Sequence, residues 1–407
     1  MAELVYLLGA GANQTVADWH GLRPPLANNF FEIALQSDKF SDKVYSERIA
    51  PVYDYIFHFW KKSQGDLRNE PFGLEDCFTM LQLQQNEAER SEDYNEYARL
   101  AGIEFLLKSF LAEYLAELET FAIRSDLMRQ FGVSVYREQP IVLTLNYDCI
   151  LETVVECASG VKVNIPQSFL GGSHEQEEIP DGELPYSHYN WNRPLAYGIK
   201  FDEVQLQRAG SSTYANGGRF HNHPENMLYS WRILKLHGSL NWFQYLPIRK
   251  YPSFDLSDMK LPEEKLREVL MVRGHWWFAA PPDLRGWLLK PLIITPVLYK
   301  EQFYQHPVFS DIWRQAYNEL STCKRLVVVG YSFAPTDFNI RKLFLEAFCK
   351  SHLKELIVVD PNTSVVQIVK ELTHFDKPVL ICRDLKEYLR LYAAQETHGP
   401  EQKPQKA

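Results

Sequence analysis

One stretch in the middle of the chain constrains the fold more than any other, because its pattern changes from strand to helix across three polar positions. Residues 141–145 are apolar or β-branched, which is typical of a strand buried on both faces of a parallel sheet. From Ile150 the apolar residues recur at helical spacing. The turn at residues 146–148 is therefore predicted to lie at the carboxyl edge of a sheet, where open α/β folds bind their ligands.

Asn146 and Asp148 are the candidate ligand-binding residues of this turn, since strand ends and helix amino ends converge at that edge. A second interpretation stays open, because Asn and Asp also fill turns and cap helices.

A glycine-rich turn follows the first predicted strand, at residues 4–8. Gly9, Ala10, Gly11 and Asn13 would let a phosphate or ribose approach the backbone, and a following helix would direct its positive end at an anion. The pattern departs from a dinucleotide fingerprint, because Gln14 stands where a third glycine belongs. An ordinary tight turn between strand and helix is the alternative.

His237 stands at the end of a third strand, predicted at residues 233–236. A histidine in this position can act as a general base, because its ordinary pKa of about 6.5 lies near neutral pH. A structural histidine bonded to a loop carbonyl is the alternative.

Strands and helices alternate in the carboxyl third of the chain, with strands at residues 326–329, 356–359 and 378–381. This alternation predicts right-handed crossovers and a parallel sheet. Polar residues and a glycine after these strands are candidates for binding ribose hydroxyls or a nucleotide. They are Gly330, Ser332, Asp337, Asp360 and Asn362.

These patterns together predict an α/β fold: a Rossmann-like parallel sheet with helices on both faces, a helical insertion and long loop insertions. The sheet domain would be discontinuous, over residues 1–36 and 138–392. The insertion would span residues 37–137, where apolar residues recur every three or four positions. Residues 393–407 are polar and are predicted to be a disordered tail.

Composition excludes several classes of function. A formal net charge of −9 disfavours direct binding to nucleic acid, and no apolar run approaches the roughly 20 residues of a membrane span. The six cysteines include no C-x-x-C pair, and His221 and His223 lack companions at metal-ligand spacing, so no metal is expected. Without a signal peptide pattern at Met1, we expect a cytoplasmic protein.

Five short motifs in order make the chain similar to the Sir2-like family. They are Gly9-Ala10-Gly11, Asn146 with Asp148, His237-Gly238, Gly330 with Ser332, and Asn362. In style they resemble the bacterial antiphage-defence branch, as do residues 292–296 with Lys300. The paired zinc cysteines of protein-deacylating sirtuins are missing, and Thr144-Leu145 replaces the glutamine that precedes their Asn-x-Asp motif.

The resemblance implies an NAD⁺ hydrolase that forms nicotinamide and ADP-ribose and depletes NAD⁺ when phage infection is sensed. It implies that Asn146 positions the ribose and water, that Asp148 holds the nicotinamide amide and that His237 is the general base. It further implies that Gly9, Ala10, Gly11 and Asn13 cradle the diphosphate, while Ser332 and Asn362 hold the adenosine half. NAD⁺ would be a substrate, with no metal.

The alternatives are an NAD⁺-dependent deacylase or ADP-ribosyltransferase, and a catalytically silent NAD⁺ or ADP-ribose sensor. The resemblance also implies a homo-oligomer that is held inactive until it is released. The releasing partner would be a HerA-type ATPase, an Argonaute-type protein or a phage component.

Overall fold

The computed structural model describes residues 3–16, 22–158, 196–199, 201, 203–206, 232–245, 268–273, 289–297, 300, 304–350 and 352–396. His221, His223 and the aromatic residues at 275–278 lie outside them. No helix in these ranges is long and apolar enough to cross a membrane.

The principal sheet has six parallel strands arranged in the order of a Rossmann fold. The chain starts in the middle with β1 (Leu4–Leu8) and adds β2 (Ile141–Thr144) and β4 (Ile233–Lys235) on one side. It then returns to add β8 (Arg325–Val329), β9 (Glu355–Val359) and β10 (Leu380–Cys382) on the other side. The strand order reverses between β1 and β8, and this switch point is where such sheets open a crevice for a ligand.

Alternate residues of the buried strands point into two separate hydrophobic cores, one on each face of the sheet. Tyr6 and Val142 face one core, and Val5 and Leu143 face the other. Because both faces are covered, the strands are continuous apolar runs with no polar face. The predicted fold class is confirmed.

The helical block between β1 and β2 packs on one face of the sheet and shares a core with it. Phe110 and Tyr114 of this block belong to the same buried cluster as Tyr6 of β1. The block comprises α1 (Phe30–Gln36), α2 (Lys43–Arg48), α3 (Ala50–Trp60), α4 (Gln64–Asn69), α5 (Leu74–Arg90), α6 (Tyr94–Ala122) and α7 (Asp126–Glu138).

The remaining described helices follow strands of the sheet or precede them. They are α8 (Ile150–Ala158), α9 (Pro307–Thr322), α10 (Phe338–Phe348), α11 (Ser364–Thr373) and α12 (Leu385–Glu396). Phe309 of α9, Ile340 of α10 and Val365 of α11 fill the core on the face opposite the helical block. Helix α12 extends four residues into the segment predicted to be disordered, and residues 397–407 lie outside the described ranges.

Two features depart from the sequence-based expectation. A six-residue 3₁₀ helix (Ala10–Thr15) follows the glycine turn within the described residues, in place of a regular helix that begins at the turn. A second sheet was also not predicted. It has the order β3 (Glu203–Leu206), β6 (Leu270–Arg273), β5 (Gly238–Tyr245) and β7 (Leu289–Ile293). Strand β5 begins directly after His237, where the polar residues of 238–241 indicated only a turn.

Candidate active site

The predicted site residues all follow the carboxyl ends of five strands of the principal sheet. From one side of the sheet to the other, the strands are β4, β2, β1, β8 and β9. His237 follows β4, Asn146 and Asp148 follow β2, Gly9, Ala10, Gly11 and Asn13 follow β1, Gly330, Ser332 and Asp337 follow β8, and Asp360 and Asn362 follow β9. The topology therefore brings them to one edge.

The glycines of the first turn pack against the turn after β8. Gly9 N–H donates to Val329 O at 3.0 Å, and Gly11 N–H donates to Gly330 O at 2.9 Å. A Cβ on Gly9 would lie 2.5 Å from Gly330 O, and one on Gly330, whose φ is +59°, would lie 2.2 Å from Ala12 N. These glycines thus allow two backbones to meet at the switch point, and the Gly9 and Gly11 amides are already satisfied within the chain. Their predicted contact with a diphosphate stays a prediction.

Asn146 spans the gap between the turns after β2 and β1. Its Nδ2 donates to Gly9 O at 3.1 Å, and its backbone N–H donates to Thr144 Oγ1 at 3.1 Å. The side chain is half-buried and lines a small pocket together with Asn13 and Asp148. This contact orients the amide at the point where a ligand would enter the crevice.

Asp148 is buried at the floor of the same pocket, and both of its carboxyl oxygens are engaged. Oδ2 accepts from Asn13 Nδ2 at 2.8 Å, and Oδ1 accepts from Ile150 N–H at the start of α8 at 3.1 Å. Burial raises the pKa of Asp148 to about 6, although the nearby Lys235 ammonium opposes this change. The carboxyl group therefore changes its charge close to neutral pH.

His237 is 4% exposed, and its Nε2 has no hydrogen-bond partner among the described residues. The Tyr147 ring stacks on the imidazole, with a centroid distance of 6.4 Å and an interplanar angle of 26°. The Tyr147 hydroxyl donates to Ile294 O at 2.7 Å, and Ile294 N–H donates to His237 O at 2.8 Å. The backbone of His237 and the ring beside it are thus held by one short segment after β7.

Burial, together with the Lys300 charge, lowers the pKa of His237 to about 4, and the Asp337 carboxylate opposes this change. The imidazole is therefore uncharged at neutral pH and can accept a hydrogen bond, but it is a weak base in this structure. Because a buried polar atom seldom lacks a hydrogen bond, Nε2 is the atom of His237 that we consider for contact with a ligand.

An ion pair between Lys300 and Asp337 lies close to His237. Lys300 donates to Asp337 Oδ1, and the Tyr331 hydroxyl donates to Asp337 Oδ2 at 2.9 Å. Burial favours the neutral form of Asp337, but the charges of His237 and Lys300 outweigh this effect and hold its pKa below the usual value. Because His237 is itself uncharged at neutral pH, Lys300 is the partner that keeps Asp337 ionised there. Asp337 is thus held ionised beside His237, and its predicted contact with a ribose stays a prediction.

A second ion pair, between Lys235 and Glu152, lies beneath Asp148 and was not identified from the sequence. Lys235 Nζ is 2.9 Å from Glu152 Oε1 and also donates to the backbone carbonyl of Asp148. The signal was available, because lysine is almost never buried unless it is paired, and Lys235 lies inside an apolar strand.

The residues predicted to hold adenosine lie further along the edge. Asn362 Oδ1 accepts from Ser364 N–H at 3.1 Å at the start of α11, and Asp360 Oδ1 accepts from Asn362 N–H at 2.7 Å. Ser332 is exposed after β8. The two side chains after β9 therefore have structural contacts. Binding of the adenosine half by Ser332 and Asn362, and of a ribose hydroxyl by Asp360, stays a prediction.

The described residues contain no group of three or more His, Cys, Asp or Glu side chains that is arranged to hold a metal ion. The six cysteines, all among the described residues, form no disulfide with one another, and four of them are buried. The candidate site is therefore built from amides, carboxylates and imidazole, together with two buried lysines.

No protein-family model and no curated protein matches this sequence. Among solved structures, the chain is similar to a Sir2 homologue in complex with NAD, with a TM-score of 0.39 and 11% identity over 96% of this chain and 88% of the other. It is also similar to a mutant Sir2 homologue in complex with 2′-O-acetyl ADP-ribose, with a TM-score of 0.37 and 11% identity over 98% of this chain and 94% of the other. These structural neighbours are Sir2 homologues, but TM-scores this low support no conclusion about the chemistry of this chain.

Proposed function

We propose that the chain is an NAD⁺ glycohydrolase, which cleaves NAD⁺ to nicotinamide and ADP-ribose. The observation that carries the proposal is His237, a buried and uncharged imidazole whose Nε2 has no partner among the described residues, beside the turn that carries Asn146 and Asp148. The motif resemblance supplies the substrate, and the Rossmann strand order supplies a nucleotide crevice at the edge where these residues lie.

The reaction breaks the bond between nicotinamide and C1′ of its ribose, and the positively charged nicotinamide is already a good leaving group. Glycoside cleavage of this kind develops positive charge on the sugar. The protein has to orient the ribose, place a water molecule and accept a proton. Asn146 orients the ribose and the water, and His237 accepts the proton, a role that contributes roughly 10²–10⁴-fold to a rate.

Asp148 provides a hydrogen-bond acceptor for the nicotinamide amide when its carboxyl group is ionised. Asn13 and the Ile150 amide hold this carboxyl group in a fixed orientation in the pocket. At the diphosphate end, the Gly9 and Gly11 amides and the Asn13 side chain already have partners within the chain, so a diphosphate contact at this turn depends most on the backbone at Ala10.

The proposal extends to antiphage defence by NAD⁺ depletion, with a homo-oligomer and an activating partner. An NAD⁺-dependent deacylase or ADP-ribosyltransferase is the alternative within the same chemistry, and a silent NAD⁺ or ADP-ribose sensor is the alternative without catalysis. Incubation of the purified protein with NAD⁺ alone separates them. Hydrolysis needs no acceptor, transfer does, and a sensor consumes nothing.

The decisive variants are Asn146→Ala and His237→Ala, for which we expect at least a hundredfold loss of nicotinamide release measured by chromatography. Asn69→Ala and His352→Ala replace exposed residues of the same types and serve as matched controls. Undiminished turnover in either site variant contradicts the assignment of that residue. If the wild-type protein releases no nicotinamide, with or without acceptor and with its genomic neighbour present, the proposed activity is wrong.

A further inference from the structure

We propose that Lys235 is a positioning residue for NAD⁺ cleavage, which acts with Glu152 to fix the Asn146–Asp148 turn against the strand that carries His237. This inference rests on the function proposed above and adds residues that the proposed chemistry does not itself use. Lys235 lies two residues before His237, with Leu236 between them. Its side chain extends away from the strand to the neighbouring turn.

The geometry links the two catalytic segments through one ammonium group. Lys235 Nζ donates to the carbonyl of Asp148 and to Glu152 Oε1, which lies one helical turn further along α8. The Tyr197 hydroxyl also donates to Glu152 Oε1 at 3.0 Å, and Asn241 Nδ2 donates to that hydroxyl at 3.2 Å. Lys235 therefore ties the turn after β2 and the start of α8 to β4.

The pair is almost completely removed from water, with side-chain exposures of 1% for Lys235 and 2% for Glu152. Burying two charges is expensive, and apolar residues of similar volume usually stabilise a core as well or better. An ion pair at this place is therefore poorly explained by stability. It does provide what apolar residues cannot, which is a directional bond to the Asp148 carbonyl.

The same pair acts on the charge of Asp148 in two opposite directions. The Lys235 ammonium favours the ionised carboxyl group, while Glu152 disfavours it. Glu119 of α6 also disfavours ionisation, and Asn13 donates to Oδ2 from the opposite side. Because the pKa of Asp148 lies at about 6, changes in this balance alter the fraction of ionised carboxyl group in the pH range of an assay.

Because Lys235 and Glu152 have opposite effects on the charge of Asp148, replacing them should shift the pKa of Asp148 in opposite directions. In Lys235→Met the pKa of Asp148 rises, so the acid limb of the kcat profile moves to higher pH by about one unit, whereas Glu152→Gln moves it to lower pH. Lys235→Met also releases the Asp148 carbonyl, so we expect kcat at pH 8 to fall about 10–100-fold with a smaller change in KM. Glu152→Gln keeps an acceptor for Lys235 and should lower kcat much less.

The double variant Lys235→Met/Glu152→Gln separates the two effects. Its acid limb should return close to that of the wild type, because both opposing charges are gone, while its kcat stays low because the carbonyl is still not held. Arg232→Met is the matched control, since it breaks a partly buried ion pair with Glu319 at the amino end of the same strand, β4, without touching the turn. We expect its pH profile to match that of the wild type.

Titration of Asp148 by NMR in protein labelled at the aspartate carboxyl carbons tests the inference without turnover, with Asp148→Asn identifying the signal. Shifts of opposite sign in the two single variants support it. Shifts of the same sign, unchanged pKa values or a kcat loss in Arg232→Met equal to that in Lys235→Met overturn it. If Lys235→Met does not fold, Glu152→Gln alone must still lower the pKa of Asp148. Wild-type protein that cleaves no NAD⁺ contradicts the proposed function, and the titration then shows separately whether the pair controls Asp148.

Discussion

Replacing His237 by leucine should make the protein more resistant to acid while it abolishes NAD⁺ cleavage. The imidazole is 4% exposed, and burial lowers its pKa from 6.5 to about 4. Each pKa unit corresponds to about 1.4 kcal/mol, so holding this residue uncharged costs the folded state about 3 kcal/mol at low pH. The stability is fully present above pH 6.5 and is lost as the pH falls through 4. Leucine has a similar volume and no titratable group, so it carries no such cost at low pH.

Asp148 changes stability in the opposite direction over nearly the same range. Its pKa is raised from 3.8 to about 6, so its contribution is fully present below pH 3.8 and is lost as the pH rises through 6. The contribution of Asp148 is also about 3 kcal/mol, so the pH dependences that Asp148 and His237 give to the stability of the wild type nearly cancel. The leucine variant removes one of them, so its advantage in free energy of unfolding should grow by about 3 kcal/mol between pH 7 and pH 4.

Urea unfolding at half-unit pH steps measures this difference, with His352→Leu as a control for loss of an exposed histidine. At pH 7 the His237→Leu variant should be at least as stable as the wild type, because an unpartnered buried nitrogen is removed. Parallel stability curves for variant and wild type from pH 7 to pH 4 would refute the buried, uncharged state of His237. A large loss of stability at pH 7 would refute the view that its imidazole serves function at the expense of the fold.

Three further outcomes are expected. Gly330→Ala should lower the free energy of unfolding, measured in urea, by roughly 2 kcal/mol or more, because the φ of +59° and the 2.2 Å distance to Ala12 N leave no place for a Cβ. Gly102→Ala is the control on helix α6, where the space is open, and it should raise the free energy of unfolding by about 0.5–1 kcal/mol. Dialysis against EDTA should change neither the unfolding midpoint nor NAD⁺ consumption, and stoichiometric zinc retained with activity would contradict this. Sizing chromatography combined with an NAD⁺ assay should show low turnover for the isolated chain and a large increase with its genomic neighbour, and full activity of an isolated monomer would contradict gating.

The strands of the principal sheet were predictable because each strand carries its own local signal. Continuous apolar runs such as residues 326–329 indicate strands with both faces covered, and the structure has them in a parallel sheet. The position of His237 at the edge follows from the same reasoning. Strand β5 was not predicted, because its first residues are mostly polar and its partners begin only at Leu270 (β6) and Leu289 (β7). Local pattern carries no information about such pairing.

The contacts that define the site join residues that are far apart in the sequence, so no local motif contains both partners. Lys300 pairs with Asp337. Lys235 of β4 pairs with Glu152 of α8, and a long connection separates these two elements in the sequence. Tyr147 was not identified from the sequence as a site residue, although its ring stacks on His237. The sequence also did not indicate that the Gly330 backbone lies against Gly9 and Gly11, and the predicted contact of these glycines with a phosphate stays a prediction.

The sequence left open whether Asp148 caps a helix or binds a ligand, and the two oxygens of its carboxyl group show that the first role does not exclude the second. Oδ1 accepts from the Ile150 amide and does the work of a cap, while Oδ2 accepts from Asn13 at the pocket. The first bond fixes the plane of the carboxyl group, because an oxygen bound to the helix start cannot rotate freely. The cap is therefore what aims the second oxygen. A structural role and a chemical role at the end of a strand are compatible in one residue, and evidence for the first does not count against the second.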